Sequence, residues 1–506
     1  MRAGWLWIAL AACSNNPAHT GDDDDMPGPD ATDVPDFATQ CTTSPQASTY
    51  DDATAFGALV PGSLKDWDPS GRWFLTGTSL GDVSSVFLEK TPAGMVELDR
   101  DSSKLGTLTD DSLFERNTQV YNSKTYLEAH RISNLAADGS LRLDRAQCYN
   151  GSCEVCTAKV IRATHNVANG AVEGEGDHLT LVGQLSGPNW GPGYTFNVRM
   201  VGTTAYLIRQ DGLHIIDTSD PANPTQLGLY RRAHLGYSND VKLVEANGKR
   251  YALVEDYGVD VVDVTNPANA TLVASIQEQA HTAAVETRGG HIYAYFGTYE
   301  GTCPIYDITD PEQPTKLGQY SVTGNLVHDL SVENGIAYLN AWDDGFLAVD
   351  FTAPATPVLL GSWPKTPTRT SHSNWTTTIN GRHIALHGEE NYGAKLDLVD
   401  VDPASGTFMK SFATWQTRAW VSIHNLMAFG SKAYFSYYQD GIRILDLSDP
   451  TQPKQVGYYN TWDPQADYTS SDFFEGAVGI DVDLARHLVF VADSPRGLLI
   501  LQDTTP

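Results

Sequence analysis

The sequence is poor in positive charge, in cysteine and in long apolar runs. Its 506 residues include 33 lysines and arginines against 62 aspartates and glutamates, which gives a formal net charge of −29. Such a surplus repels phosphate backbones and leaves no basic stripe, so we exclude nucleic acid as a partner. Beyond the first residues no segment reaches about 18 continuous apolar residues, so we expect no membrane-spanning helix.

The chain also lacks the short motifs of common catalytic and nucleotide-binding folds. It has no nucleophile elbow, no phosphate-cradling glycine loop and no dinucleotide fingerprint, since the glycines between Gly187 and Gly193 precede no helical pattern. No reaction therefore follows from a motif.

Cysteine is scarce, with six residues in the whole chain. Cys13 ends an apolar N-terminal run and is treated below. Cys303 occupies an apolar position of a predicted strand, which indicates a buried free thiol. The other four, Cys41, Cys148, Cys153 and Cys156, allow two disulfides in an exported chain, with a pairing that the sequence does not define.

One phrase recurs along the chain. Gly212–Pro221 returns with small changes at residues 259–267, 303–311, 346–354, 396–403 and 442–450, and in truncated form at 498–503. The aligned aspartates, Asp217, Asp263, Asp307, Asp350, Asp400 and Asp446, are 46, 44, 43, 50 and 46 residues apart. This period is typical of four-stranded propeller blades and too long for leucine-rich or ankyrin repeats. Helical repeats are disfavoured because the copies alternate apolar with polar residues and are rich in Val, Ile, Tyr, Thr and Gly.

The second copy predicts how each unit folds. Asp240–Val244 reads as the inner strand, Arg250–Val254 as the second, Gly258–Val264 as the third and Thr271–Ala274 as the outer strand. The same phasing places the starts of seven inner strands near Phe196, Asn239, His281, His328, Ser373, His424 and Glu475. The last copy stops after its third strand, and an orphan strand at residues 178–182 precedes the first copy. We therefore predict an all-β, seven-bladed β-propeller over residues 179–503, closed by an N-terminal outer strand.

Several phrases resemble a known repeat family. Ile215 Ile216 Asp217, Val261 Val262 Asp263 and Ile444 Leu445 Asp446 resemble the LVIVD repeat of bacterial surface β-propellers. Residues 424–426, 441–450, 474–476 and 493–498 are similar to its choice-of-anchor B branch. The resemblance covers roughly residues 179–503 and implies a propeller and an extracytoplasmic address, without implying a reaction. The fifth copy, Lys395–Asp400, departs from the pattern and leaves that blade's boundaries open.

The N-terminus predicts a lipid anchor. Arg2 precedes an apolar run that ends in Leu10 Ala11 Ala12 Cys13, so residues 1–13 resemble a lipoprotein signal with Cys13 as the lipidated residue. Ser14 resembles the sorting signal for the Gram-negative outer membrane. We expect an extracytoplasmic protein held at the outer membrane or cell surface by lipid alone.

The predicted anchor leads into two further regions. Residues 14–48 read as a disordered, acidic tether rich in Pro and Asp, whose run Asp22–Asp25 is more typical of solvated carboxylates than of a calcium site. Residues 66–166 predict a small separate β domain. Gly71 Arg72 Trp73 resembles the opening of lipocalin-like barrels, and both a barrel and a sandwich stay open.

Alignment of the copies brings four histidines into register. His281, His328, His372 and His424 fall at or within one residue of the start of the inner strand, 47, 44 and 52 residues apart. We expect them at one mouth of the channel, joined by Asp240, Asp329, Asn425 and Glu475. Imidazoles with a carboxylate suit zinc, copper or iron, and calcium is the other cation considered. Alternatively, each histidine hydrogen-bonds to a neighbouring blade and has only a structural role.

Two more groups bear on function. The cluster His387 Gly388 Glu389 Glu390 is read as a solvated loop in preference to carboxylates at the channel mouth. Trp342, Trp375, Trp415, Trp420 and Trp462 fall near blade loops, where they either grip sugars or peptides or pack between blades. We therefore predict a binding platform for a protein, peptide or glycan, with a metal-dependent oxidoreductase or hydrolase as the alternative.

Overall fold

The computed structural model describes residues 40–45, 49–76, 85–98, 101–121, 124–149, 152–168, 170–187, 190, 194–232, 238–363, 370–391, 394–466 and 474–506. Cys13, the predicted signal segment and most of the predicted tether lie outside these ranges. The described residues divide into two compact units. The second unit comprises Arg162–Pro506 with two short segments at residues 70–73 and 85–89, and the first comprises the remainder. No helix in these ranges has both the length and the apolar character needed to cross a membrane.

The N-terminal sheet is barrel-like. Its strands are β1 (Gln40–Pro45), β2 (Gly71–Thr76), β3 (Ser85–Lys90), β4 (Met95–Leu98), β5 (Asp101–Leu108), β6 (Ser112–Tyr121), β7 (Lys124–Ser133), β8 (Leu141–Tyr149) and β9 (Ser152–Arg162), with one 3₁₀ turn at Ala53–Phe56. Strands β2 to β9 follow one another around the sheet, and β9 pairs with both β8 and β2. The eight described strands thereby close on themselves, which decides between the barrel and sandwich interpretations in favour of the barrel.

Two disulfides cross-link this sheet. Cys41–Cys156 joins β1 to β9, and Cys148–Cys153 joins β8 to β9. Their half-cystines Cys148 and Cys153 lie in the core of the sheet with Leu127, Ala129 and Ala146. Cys303 is a free, buried cysteine of the described chain, as the sequence predicts.

Short strands link the two parts of the chain, and four-stranded blades follow. The linking strands are β10 (Val167–Ala168), β11 (Ala171–Val172), β12 (Gly176–Asp177) and β13 (Leu179–Leu185). Blades 1 to 3 are β14–β17 (Thr195–Val201, Thr204–Arg209, Gly212–Asp217, Thr225–Tyr230), β18–β21 (Asp240–Ala246, Lys249–Glu255, Val259–Asp263, Thr271–Ile276, with a 3₁₀ turn at Pro267–Asn269) and β22–β25 (Ala280–Arg288, His291–Thr298, Thr302–Asp307, Thr315–Ser321). Blades 4 to 6 are β26–β29 (Asp329–Glu333, Ile336–Asn340, Phe346–Asp350, Val358–Trp363), β30–β33 (Ser371–Ile379, Arg382–Glu389, Leu396–Asp400, Lys410–Trp415) and β34–β37 (Leu426–Phe429, Lys432–Ser436, Ile442–Asp446, Lys454–Tyr459). Blade 7 is β38–β40 (Ala477–Asp483, Leu488–Asp493, Gly497–Asp503) with β13 as its outer strand.

These seven blades, counted over the described residues, confirm the predicted propeller. Strand β13 pairs antiparallel with β40, from Leu179 opposite Asp503 to Leu185 opposite Leu498. The orphan strand of the sequence therefore completes the last blade. The fifth blade has the same four strands as the others, so its departure in sequence leaves the architecture unchanged.

The recurring aspartate of each copy closes a turn. Asp217 Oδ1, at the end of a third strand, accepts a hydrogen bond from the amide of Ser219 at 2.8 Å. Asp263, Asp307, Asp350, Asp400 and Asp446 do the same to the amide two residues on. A short acidic side chain satisfies this amide where the strand ends and the outer strand has not begun. Each copy of the repeat is therefore a strand followed by an aspartate that ends it by capping the next turn.

A histidine and carboxylate cluster at one end of the propeller

The blade topology brings the starts of inner strands beside the ends of second strands. Because the two strands are antiparallel, Asp329 lies opposite Asn340 in blade 4, and Ser371 lies opposite Glu389 in blade 5. A residue at the start of the inner strand and a residue on the turn after the second strand thus share one end of the blade.

Backbone hydrogen bonds join the starts of two inner strands to the end of the second strand, or the turn after it, in the preceding blade. The amide of Val327 donates to the carbonyl of Thr298 at 3.0 Å, and the amide of Ser371 donates to the carbonyl of Trp342 at 3.1 Å. Each bond joins the turn of one blade to the residue that precedes a histidine of the next blade. His328 and His372 are therefore held by main-chain geometry.

The four predicted histidines form one continuous row. The ring centroids of His281 and His328 are 4.0 Å apart, those of His328 and His372 4.2 Å, and those of His372 and His424 4.6 Å. Four successive blades contribute one ring each.

Each histidine faces a side chain on the turn of its own blade. Tyr299 packs against His281, Trp342 stacks on His328 with a centroid distance of 4.8 Å, and Tyr438 packs against His424 at 4.7 Å. In blade 5 the turn residue is Glu390 instead of an aromatic. Trp342, Tyr438 and the corresponding Tyr257 of blade 2 all have positive φ angles, of +38°, +40° and +47°. Left-handed backbone is costly for aromatic residues, on the order of 1–3 kcal/mol each, and such strain concentrates at binding and catalytic sites.

Glu390 projects among three of the histidines. Its Oε2 lies 3.4 Å from Nε2 of His372 and 3.9 Å from Nε2 of His328, and its Oε1 lies 3.7 Å from Nε2 of His424. The hydroxyl of Tyr438 donates a hydrogen bond to Oε1. The Glu390 side chain is only 8% exposed. The interpretation of His387–Glu390 as a solvated loop is therefore wrong, because β31 runs through Glu389 and carries this segment into the interior.

Two of the histidines have a defined protonation pattern. His281 Nδ1 lies 3.0 Å from the carbonyl of His328, and His424 Nδ1 lies 2.6 Å from the carbonyl of Val478. A carbonyl only accepts, so Nδ1 carries the proton and Nε2 of the neutral ring carries a lone pair. Burial lowers the pKa of His281 and His424 to about 4, so both rings are neutral at physiological pH. In His281 that lone pair faces Asn239 Nδ2 at 3.1 Å.

The two central histidines are the most desolvated. Burial, with the neighbouring imidazoles, holds the pKa of His328 and His372 well below the ordinary value. Among the described residues, neither ring nitrogen of His372 has a hydrogen-bond partner, and the same is true of Nδ1 of His328. The backbone of His372 beside the His328 ring and that of His424 beside the His372 ring act to raise these pKa values, against the larger effect of burial. Hydrogen bonds of defined length from a ring nitrogen to a carbonyl of the next blade are present at His281 and His424.

The predicted carboxylates have other contacts. Thr282 Oγ1 donates to Asp240 at 2.6 Å and lies 3.3 Å from Asp329, and Lys242 is ion-paired to Asp240. Burial acts to raise the pKa of Asp240, but Lys242 and Arg199 lower it to about 2, whereas burial raises that of Asp329 to about 6. The two aspartates form a separate polar layer beside the row of histidines.

Glu475 and Asn425 have hydrogen-bond partners of their own. Glu475 Oε2 accepts a hydrogen bond from Trp462 Nε1 at 3.0 Å, so a buried indole holds this carboxylate. Asn425 exchanges main-chain hydrogen bonds with the Ser436 hydroxyl. Neither residue belongs to the group of potential metal ligands found in the described chain near Glu390.

Most of the tryptophans singled out by the sequence pack between blades. Trp375, Trp415 and Trp420 lie against the core shared by blades 5 and 6, and Trp462 is 1% exposed. Trp342 is the one of the five that touches the row of histidines in the described structure.

Comparison with known proteins identifies the repeat. The LVIVD repeat model matches residues 192–231, 236–278, 325–364 and 425–461. The chain contains LVIVD repeats. The WD40 β-propeller domain of Doa1 is a similar solved structure, with 11% sequence identity and a TM-score of 0.45 over 64% of this chain and 97% of that domain. No curated protein matches the chain.

The residues matched by the LVIVD model include His328 but not the other three histidines or Glu390. They cover the strands of blades 1, 2, 4 and 6, whereas His372 and Glu390 belong to blade 5, outside the matched ranges. From the sequence, Glu390 was the less favoured possibility of a carboxylate at the channel mouth. The available signal was its place directly after the second strand, which Tyr299 also occupies in blade 3.

Proposed function

We propose that this β-propeller repeat protein is an exported, lipid-anchored binding protein that captures a glycan or peptide at the end of the propeller carrying the histidines. The observation that carries the proposal is an aromatic residue on the turn after the second strand in four blades, with Tyr257 exposed, Tyr299 half-buried, and Trp342 and Tyr438 buried. Rigid aromatic rings supply large contact area at small entropic cost.

Tyr257 and Tyr299 offer the best-defined contact surface at this end. Their rings stack with centroids 4.5 Å apart and an interplanar angle of 10°, and Tyr257 is 40% exposed. The amide of Tyr257 donates to the carbonyl of Ala280 in the next blade at 3.1 Å, which fixes the turn. A flat ring held in this way is suited to stacking on a sugar ring or a peptide side chain.

Replacement of Tyr257 by alanine should abolish most ligand binding. On arrays of glycans and peptides probed with the full chain, we expect Tyr257→Ala to weaken binding about 10-fold or more, from the loss of about 1.5 kcal/mol of aromatic contact. Tyr126 is the matched control, since it is also 40% exposed and stacks on Tyr149 with centroids 4.7 Å apart, in the barrel-like sheet. Equal losses for Tyr257→Ala and Tyr126→Ala would place the ligand elsewhere.

The lipid anchor is the second part of the proposal. We expect Cys13→Ser to move the protein from the membrane fraction to the soluble fraction of fractionated cells. Each buried methylene contributes on the order of 0.8 kcal/mol, and other membrane contacts of an acidic chain are weak. Ser14→Ala, which keeps the lipidated cysteine, is the control and should stay in the membrane fraction. Retention of Cys13→Ser at the membrane would refute the anchor.

A metal-dependent oxidoreductase or hydrolase is a second candidate. It is favoured by one observation, the grouping of His328, His372 and Glu390 with potential ligand atoms within 4.8 Å of one another. Histidine and carboxylate ligands with an open position are typical of catalytic metal centres. Turnover that requires a bound metal ion and disappears in the Glu390→Gln variant would favour this candidate over the binding protein.

A further inference from the structure

We propose that His328, His372, His424 and Glu390 form a binding site for one divalent transition-metal ion, with zinc as the reference ion. The site goes beyond the proposed ligand capture and does not depend on it.

The distances between the four side chains suit a metal ion. Three histidine Nε2 atoms lie 3.4, 3.7 and 3.9 Å from the Glu390 carboxylate oxygens. Two ligands that are each about 2.1 Å from a tetrahedral zinc ion are about 3.4 Å apart. His328, His372 and Glu390 already place potential ligand atoms within 4.8 Å of one another, so these three need only small adjustments to hold an ion, and His424, beside the other carboxylate oxygen, would move further to complete the set.

The hydrogen-bonding pattern leaves a position between His424 Nε2 and the Glu390 carboxylate that a cation would occupy. His424 Nδ1 donates its proton to the carbonyl of Val478, so Nε2, the other ring nitrogen, is the one that faces the Glu390 carboxylate. Two acceptors that face each other repel unless a proton or a cation lies between them. A metal ion would turn this contact into two coordinate bonds.

His372 gives an independent indication of a ligand. Its side chain is 2% exposed, and within the described structure neither of its ring nitrogens has a hydrogen-bond partner. Leaving a buried polar group unpaired costs about 1–3 kcal/mol. Its Nε2 lies 3.4 Å from Glu390 Oε2, and a metal ion held between the two atoms would satisfy it.

The second sphere has the features of a metal centre. The carbonyl of Val478 orients His424, and the hydroxyl of Tyr438 binds Glu390 Oε1. Histidine ligands that donate their other N–H to a carbonyl are the usual arrangement, because the bond fixes the tautomer and the ring plane. Trp342, stacked on His328 and 7% exposed, limits access of water on that side.

Other candidates do not compete with this site. His281 has both ring nitrogens engaged, by the carbonyl of His328 and by Asn239. Cys41, Glu154 and Cys156 also group together, but the two cysteines are joined in a disulfide and have no thiolate to offer. We therefore assign three histidines, not four, to the metal ion.

The test is metal binding by the full chain after removal of metal with a chelator. Zn²⁺, Cu²⁺ and Fe²⁺ are titrated separately, with stoichiometry from elemental analysis and Kd from calorimetry. We expect one equivalent of at least one ion, with a visible band of tetrahedral character when Co²⁺ replaces it. His372→Ala and Glu390→Gln should raise Kd by more than the ~100-fold that loss of a second-sphere partner reaches.

Two further variants separate coordination from folding. Tyr438→Phe keeps the aromatic ring and should raise Kd about 10-fold at unchanged stoichiometry, as expected of a positioning residue. His291→Ala is the control, since His291 is 54% exposed and paired with Asp307, and it should bind metal like the wild type. Absence of stoichiometric metal with all three ions, or equal losses in His291→Ala and His372→Ala, would overturn the proposal. Either result would leave ligand binding at Tyr257 untouched.

Discussion

Leu179→Asp should open the ring of blades and lower the free energy of unfolding by about 4 kcal/mol or more. Leu179 is 1% exposed and packs with Tyr434, Leu499 and Leu501 in a core shared by blades 6 and 7. Removal of a buried leucine side chain costs about 2–5 kcal/mol, and a carboxylate in its place adds a desolvation cost. Because β13 is the outer strand of blade 7, the substitution acts where the ring closes.

The neighbouring residue provides the control for this prediction. Thr180 is exposed on the opposite face of β13 and lies opposite Gln502. Thr180→Asp adds the same charge to the same strand and should change the free energy of unfolding by about 0.5 kcal/mol or less. Urea denaturation followed by tryptophan fluorescence measures both variants. A similar midpoint for the two variants would mean that β13 does not close the propeller.

Arg443→Ala should lower the free energy of unfolding by about 3–5 kcal/mol. The Arg443 guanidinium is fully buried in blade 6, where it donates to Glu173 Oε2 at 2.7 Å and to Asn460 Oδ1 at 2.9 Å. Glu173 belongs to the segment before β12, which returns to blade 6 and pairs with β37. Alanine would leave the Glu173 carboxylate buried without its cation.

An exposed arginine is the reference for Arg443. Arg231 is 61% exposed and lies 3.3 Å from Asp211. Exposed ion pairs contribute about 0–1 kcal/mol, so Arg231→Ala should be nearly neutral. Equilibrium urea unfolding compares the two variants. A change below about 1 kcal/mol for Arg443→Ala would mean that the segment is held by its strand pairing and not by the buried ion pair.

Much of the propeller was predictable from the sequence because each blade repeats the same local physics. The third strand is buried on both faces and ends at an aspartate that caps the next turn. One short sequence motif therefore marks the strand, the residue at which it ends and, by its recurrence, the length of the repeat. The orphan strand at residues 178–182 could be assigned to blade 7 because the last copy lacked an outer strand. In the N-terminal sheet there is no repeat, and the choice between barrel and sandwich depended on pairing between β2 and β9, which are far apart in sequence.

The histidine and carboxylate cluster was predictable only in part, because the repeat determines which residues lie at equivalent positions but not which side chains they contact. Register placed His281, His328, His372 and His424 together, since register is what the repeat encodes. It could not show that Asn239 engages His281, or that Trp462 holds Glu475. For Glu390 a solvated loop was preferred to the channel mouth because a charged residue after a strand usually faces solvent, whereas here the strand continues into the interior.

The most direct test of the proposed metal site is X-ray absorption spectroscopy at the metal edge of the protein loaded with one equivalent of Zn²⁺. We predict a four-coordinate ion with three imidazole ligands at about 2.0–2.1 Å and one carboxylate oxygen at about 2.0–2.2 Å, and loss of one imidazole in His424→Ala. A spectrum dominated by water oxygens, or an unchanged imidazole count in His424→Ala, would contradict it.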